Sequence, residues 1–162
     1  YEKDAKKPEA VEGSEEQFQR WLWENGNLSR RIIGMTAEAL DTPLILGIDR
    51  RHFKADHLQN FNSAVFVAAD GKLLGHYDKM HLVLFGEYVP FAEYLPWLQH
   101  LTPLPTGLTA GREAAVFELG ELRIAPNICY ETVLPHVIRR QVKSLQEKGS
   151  DPDVLVNLTN DG

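Results

Sequence analysis

The spacing of hydrophobic positions in the first third of the chain predicts one helical region. Ser14 with Gln17 three residues later is a capping signature and predicts a helix start. We expect the helix to break at the Asn-Gly-Asn run 25–27 and to resume over 28–39, where apolar residues recur at helical spacing. The sequence Thr42-Pro43 should end it.

Short apolar runs bounded by turn residues predict the strands. Asp70-Gly71 and Gly120-Glu121 should each form a hairpin turn. The segment 134–147 is amphipathic and predicts a second long helix, and a short helix is expected over 91–100. The order of elements is typical of an α/β protein with a mixed sheet and helices on one face. The predicted strands are 44–48, 62–69, 72–77, 115–119, 122–127 and 154–158, the last as a buried strand.

The two ends of the chain suggest a part of a longer protein. Residues 1–13 are polar and contain Pro8 and Gly13, which predicts a disordered leader before a domain at 14–162. The first residues are charged, unlike a signal peptide. Because the chain stops four residues after strand 154–158, we expect a domain truncated at both ends.

Composition narrows the possible functions. The hydrophobic fraction of 43% and the charged fraction of 25% are typical of a globular domain. A net charge of −6 without a basic run argues against nucleic-acid binding. The sequence lacks an apolar window of about 18 residues, so no segment is expected to span a membrane. Cys129 is the single cysteine, which excludes internal disulfides and zinc sites built from several thiolates.

Cys129 and Lys79 are candidates for the catalytic residues of a nucleophilic mechanism. Cys129 ends an apolar strand and precedes a helix, whose N-terminal dipole would favour a thiolate. The alternative is that this thiol only packs in the core. Lys79 follows a strand and could stabilise a thiolate or a developing oxyanion, or could be a surface lysine.

Three further residues each allow two interpretations of their role. Glu87 lies among aromatic, glycine and proline residues, which suggests a shaped functional loop or a solvated carboxylate. Glu131 could orient Lys79 or cap the following helix. His81 could pair with Cys129 in a cysteine–histidine dyad or have a structural role.

Together these residues resemble motifs of the nitrilase superfamily. The run 77–82, Tyr-Asp-Lys-Met-His-Leu, resembles the lysine motif, and 128–131, Ile-Cys-Tyr-Glu, resembles the cysteine motif. The two reactive residues are 50 positions apart, about as in that superfamily, and 156–161 resembles the strand and loop that follow. The resemblance, over residue 44 to the end, implies an αββα sandwich, here incomplete. It also implies a Glu-Lys-Cys triad of which Lys79 and Cys129 are two members, with Glu87 and Glu131 as supporting acids.

Two segments resemble one branch of the superfamily, the apolipoprotein N-acyltransferases. These are 81–90 and 157–162, with Leu84 standing where those enzymes usually carry proline. The resemblance implies transfer of a fatty acyl chain from a phospholipid to the N-terminal diacylglyceryl-cysteine of an apolipoprotein, through a cysteine thioester. It implies no metal or organic cofactor. It also implies an inner-membrane protein with a periplasmic catalytic domain, anchored by segments outside this chain.

The general base of the triad is not evident in the sequence. Glu9 stands in a Pro-Glu context 70 residues before Lys79, but the run 4–7, Asp-Ala-Lys-Lys, precedes it instead of a buried strand. A base in a dry pocket needs such a strand to position it. We therefore expect Glu9 to belong to the leader and the base to lie upstream of Tyr1.

Aromatic residues near Glu87 and Cys129 are candidates for substrate binding. We assign this role to Phe85, Tyr88 and Tyr130. The apolar stretch 85–98 could be a lipid-facing lid or ordinary core. Two other functions stay open: a soluble carbon–nitrogen hydrolase that uses water instead of an amine, and an inactive nitrilase-like domain that only binds.

Overall fold

The computed structural model describes residues 5–8, 11–54, 56–84, 86–88 and 107–159. Within these residues six strands form two three-stranded sheets. The elements in chain order are helix α1 (Glu15–Leu40), strands β1 (Leu44–Phe53), β2 (Leu58–Val67), β3 (Leu73–Asp78), β4 (Phe117–Leu119) and β5 (Leu122–Ile128), a 3-10 turn (Cys129–Val133), helix α2 (Pro135–Glu147) and strand β6 (Val154–Leu158).

The first sheet is an antiparallel meander, and the second sheet is mixed. In the first, β1 pairs with β2 and β2 with β3, so that Ser63 faces Asp78 and Ala64 faces Tyr77. In the second, β4 pairs antiparallel with β5, and β5 pairs parallel with β6. The mixed character predicted from the sequence therefore belongs to the second sheet alone.

The alternating side chains of β2 show how the layers stack. Val65 and Val67 point toward α1 and pack with Ala37 of that helix. Ala64 and Phe66 point the other way and pack with side chains of the second sheet. On the far side of the second sheet, Gln141 of α2 donates a hydrogen bond of 2.6 Å to the carbonyl of Pro126 in β5.

The resulting order, helix, sheet, sheet, helix, is an incomplete αββα sandwich. This confirms the fold class that the resemblance implied. The expectation of both helices on one face was wrong, because a single mixed sheet was assumed. With two sheets packed face to face, each sheet has one outer face left for a helix.

Helix α1 begins as the capping signature predicts, but it does not break. Ser14 Oγ accepts from the amide of Gln17, and Gln17 Oε1 accepts from the amide of Ser14. The helix runs unbroken through Asn25, Gly26 and Asn27. The predicted break was wrong because burial of Phe18 and Leu22 before it, and of Ala37 after it, holds both halves to the domain.

Other differences concern the ends of elements and one strand's exposure. Strand β1 extends to Phe53 and β2 begins at Leu58, because their ladder continues past the apolar run. Strand β6 has the predicted bounds, but Val154 and Leu155 are 40% and 42% exposed. The prediction of a buried strand was therefore wrong; within the described residues β6 pairs on one side only, with β5.

Some predicted features lie partly or wholly outside the described residues. Of the predicted leader, Ala5 is buried beside Phe18, and the amide of Lys6 donates to the carbonyl of Phe53. The domain boundary at residue 13 stays a prediction. The helix predicted at 91–100 lies outside the described residues. None of the helices among the described segments has the length and apolar character needed to cross a membrane.

Candidate active site

Lys79 directly follows β3 and is fully buried. Its Nζ lies 2.7 Å from Oε1 of Glu87, whose side chain is 17% exposed. The other oxygen of Glu87 accepts from the amide of Val83 at 2.9 Å. A buried ammonium is stable only when it is paired and hydrogen-bonded, and Glu87 supplies both interactions. The structure thus brings together two of the residues selected from the sequence, and neither of their side chains is exposed as on an open surface.

Glu131 is completely buried and connects the lysine loop to the cysteine turn. Its Oε1 accepts from the amides of Met80 and His81, at 2.9 and 2.8 Å. Its Oε2 accepts from the amide of Ile128 at 2.8 Å, which closes a capping interaction at the start of the 3-10 turn. Glu131 therefore caps the turn and holds the backbone of the two residues after Lys79, whereas its role in orienting the lysine itself stays a prediction.

Tyr77 donates to the same carboxylate from strand β3. Its hydroxyl lies 3.0 Å from Oε1 and 2.9 Å from Oε2 of Glu131. Burial, and next the negative charge of Glu131, raise the pKa of the Tyr77 phenol well above its ordinary value of 10.0. The phenol therefore stays protonated and able to donate. Sequence reasoning missed this contact, although the alternation of β3 places Tyr77 on its inward face.

Cys129 sits where β5 turns into the 3-10 helix. Its φ is +53°, which is unusual for a residue other than glycine. Cys129 is half-buried and packs, like Met80, against the cluster of Ala64, Tyr77 and Ile128. Such a sharp turn presents a side chain away from the strand. Strained backbone of this kind is often found at functional sites.

The residue before Lys79 is also fixed, on the opposite face of the sheet. Asp78 accepts two hydrogen bonds from Arg50, at 3.0 and 2.6 Å, and one from Ser63 Oγ at 2.6 Å. Arg50 in turn lies over the ring of Phe61, with its guanidinium carbon 4.2 Å from the centroid. Lys79 is therefore held on both sides, by Asp78 before it and by Glu131 through the residues after it.

The remaining candidates are distributed as follows. Tyr88 and Tyr130 are 37% and 50% exposed, which leaves them accessible for binding. The ring of His81 lies edge-on to the ring of His136, with the centroids 6.0 Å apart. Phe85 and Glu9 lie outside the described residues.

A cavity of about 330 Å³ lies beside the cysteine turn. It is bounded by the middle of β1 and β2 on one side and by the last residues of β5 and β6 on the other. Ile128, the residue before the thiol, is part of its lining. The lining residues are Gly47, Ile48, Asp49, Asn62, Ser63, Ile128, Leu158 and Thr159.

Curated relatives of the chain are apolipoprotein N-acyltransferases. The chain is 35% identical over 131 residues to that of Geobacter metallireducens, covering 81% of this chain and 24% of the relative. It is 32% identical over 163 residues to that of Allorhizobium ampelinum, covering 98% of this chain and 29% of the relative. The chain thus spans less than a third of the length of these relatives.

Solved structures and a family pattern agree on the fold. An amidase from Nesterenkonia sp. aligns with a TM-score of 0.55 at 15% identity, over 82% of this chain and 41% of that one. A glutamine-dependent NAD+ synthetase from Acinetobacter baumannii aligns with a TM-score of 0.55 at 18% identity, over 83% and 21%. Residues 4–146 match the carbon-nitrogen hydrolase family. With a match over most of its length and the sandwich fold of these structures, the chain belongs to the carbon-nitrogen hydrolase family.

Proposed function

We propose that this chain is part of an N-acyltransferase that moves a fatty acyl chain from a phospholipid to the N-terminal diacylglyceryl-cysteine of an apolipoprotein. One observation carries the proposal. The buried carboxylate of Glu131 binds both the loop after Lys79, which pairs with Glu87, and the end of the strand before Cys129. The N-acyltransferase relatives, at 32–35% identity, support the substrate class.

In the first half-reaction Cys129 is the nucleophile. A general base takes the thiol proton, and the thiolate attacks the ester carbonyl of the phospholipid. Lys79 stabilises the oxyanion of the tetrahedral intermediate, together with backbone amides of the cysteine turn. The intermediate collapses, the protonated lysophospholipid leaves, and the acyl chain remains on Cys129 as a thioester.

In the second half-reaction the α-amino group of the apolipoprotein attacks the thioester. The general base takes a proton from the attacking amine, the C–S bond breaks as the amide forms, and the proton passes to the thiolate, which restores the Cys129 thiol. Glu87 keeps Lys79 aligned and charge-balanced throughout, since its carboxylate already contacts the ammonium. The general base belongs to a residue outside the described ranges. Tyr88 and Tyr130 bind substrate at the exposed rim of the site, and the complete protein works at the periplasmic side of an inner membrane.

The direct test is detection of the thioester. The complete gene product that contains this chain is incubated with phosphatidylethanolamine vesicles and examined by intact-protein mass spectrometry. We expect a fatty-acyl adduct that is removed by hydroxylamine and maps to Cys129, the single cysteine of this segment. The Cys129→Ser variant is the matched control, because it changes one atom and should carry no acyl group that hydroxylamine removes at neutral pH.

The other outcomes decide between the remaining functions. An adduct from small amides but not from phospholipid would replace the proposal with a carbon–nitrogen hydrolase. Absence of an adduct from either substrate, in a folded protein, would replace it with a domain that only binds. Phospholipid turnover retained by Cys129→Ser would contradict the assignment of the nucleophile.

A further inference from the structure

We infer that Tyr77 is a positioning residue, which sets the relative placement of Lys79 and Cys129 by fixing the orientation of the Glu131 carboxylate. The inference rests on the proposed function for its reaction, but its structural basis is separate. Tyr77 is 1% exposed and Glu131 is 0% exposed, so both groups interact away from solvent.

The donors around Glu131 come from three different segments of the chain. Met80 and His81 belong to the loop after Lys79, Ile128 ends the strand before Cys129, and Tyr77 lies on β3. The first three donors are backbone amides, whereas Tyr77 uses its side chain. A buried carboxylate requires such donors, because desolvating an anion without compensation is costly.

The position of the phenol differs from that of the amides in one respect. Each amide contacts one oxygen, but the Tyr77 hydroxyl lies within 3.0 Å of both. The amides of the lysine loop gather at Oε1 and the amide of the cysteine strand at Oε2. A donor between the two oxygens opposes rotation of the carboxylate plane. Tyr77 therefore holds Oε1 toward the lysine loop while Oε2 faces the cysteine strand.

The relative position of Lys79 and Cys129 should affect the rate of the reaction more than the binding of substrate. Reacting groups displaced by about 1 Å can lose on the order of 100-fold in rate. Without the Tyr77 hydroxyl, Glu131 keeps its three amide contacts and the site remains assembled, but the carboxylate gains rotational freedom. We expect Tyr77→Phe to lower the maximal rate of thioester formation by about 10- to 100-fold and to leave the dependence on vesicle concentration within about twofold.

A control variant separates positioning from general loss of stability. Val67→Ala removes a buried side chain on the opposite face of the first sheet, which packs with Ala37 and not with Glu131. Measured at a temperature where all variants are folded, Val67→Ala should retain the wild-type rate. Equal rate losses in Tyr77→Phe and Val67→Ala would overturn the inference.

A double-mutant comparison tests whether Tyr77 acts through Glu131. In a Glu131→Ala background no acceptor for Tyr77 is left at position 131, so adding Tyr77→Phe should lower the rate by less than twofold. If the two losses instead multiply in full, Tyr77 acts independently of Glu131 and the inference is wrong.

A second readout does not depend on the acyl substrate. Alkylation by iodoacetamide, followed by peptide mass spectrometry at Cys129, reports on this thiol in the complete gene product. We expect the alkylation rate at neutral pH to fall by about 10-fold in Tyr77→Phe and to be unchanged in Val67→Ala. A wild-type rate in Tyr77→Phe would overturn the inference. If alkylation changes as expected while no acyl adduct forms in the wild type, the proposed function fails and the positioning role stands.

Discussion

Lys79 and Glu87 form an ion pair with very unequal burial. Their charged atoms are 2.7 Å apart, but the lysine side chain is 0% exposed and the glutamate side chain is 17% exposed. The glutamate also keeps a backbone donor, the amide of Val83. Removal of the two charges therefore has different consequences. Without Lys79, Glu87 still has solvent and an amide donor, whereas without Glu87 the buried ammonium of Lys79 has lost its counter-ion.

We expect Glu87→Gln to cost more stability than Lys79→Met. The first leaves a buried ammonium without its counter-charge, which should cost about 3 kcal/mol. The second replaces the ammonium with an apolar side chain of similar length and should cost about 1 kcal/mol. Urea denaturation followed by circular dichroism measures both. The reverse order would mean that Lys79 is better solvated than its burial indicates. Both variants should lose nearly all acyl transfer.

The backbone at Cys129 supports a second prediction, on stability alone. A left-handed conformation costs an ordinary residue about 1 kcal/mol and costs glycine almost nothing. Neither Cys129→Gly nor Cys129→Ala retains a thiol, so both should be inactive. We expect Cys129→Gly to be more stable than Cys129→Ala by about 1 kcal/mol, by urea denaturation. In ordinary helical or extended backbone alanine would be the more stable, so an alanine advantage would contradict the φ of +53°.

The sequence predicted best where the signal was local. The capping residues Ser14 and Gln17 fixed the start of α1, and the apolar run fixed the bounds of β6. Lys79, Glu87 and Glu131 could be selected because their motifs resemble a known family. Their partners could not be predicted in the same way. The contact of Tyr77 with Glu131 joins residues 54 positions apart and depends on how the two sheets pack.

Local sequence patterns predicted two properties poorly, the burial of strand β6 and the continuity of helix α1. The exposure of β6 depends on what lies beside it, which its apolar sequence does not contain. The run 25–27 contains residues with low helix propensity, and propensity alone predicts a break. The helix continues because tertiary packing at both of its ends outweighs a local cost of about 1 kcal/mol for Gly26.

The unbroken helix gives a third prediction. If Gly26 lies within α1, Gly26→Ala should raise the free energy of unfolding by about 0.5–1 kcal/mol, since alanine is favoured in a helix interior. Gly34 is the matched control in the same helix. A Cβ there would lie 2.9 Å from the carbonyl oxygen of Gly71, so Gly34→Ala should be destabilising. A loss of stability in Gly26→Ala would restore the break at 25–27.

The raised pKa of Tyr77 gives a fourth prediction, on stability at alkaline pH. The folded protein binds the phenolic proton more tightly than the unfolded chain, in which tyrosine titrates near 10.0. Above that pH the unfolded state loses this proton first, so unfolding becomes more favourable as the pH rises. The contribution of Tyr77 is therefore fully present below pH 10 and decreases above it, by at most about 1.4 kcal/mol per pH unit.

Tyr77→Phe isolates this contribution because the other titrating groups are the same in both proteins. Urea denaturation of the two proteins at intervals from pH 8 to pH 11 gives the difference in unfolding free energy at each pH. We expect a constant difference in favour of the wild type up to about pH 10, and a smaller one above it, as the unfolded wild type gains free energy by ionising. A difference that stays constant to pH 11 would mean that Tyr77 titrates normally in the folded state. Its hydroxyl would then not be held in a buried hydrogen bond to Glu131.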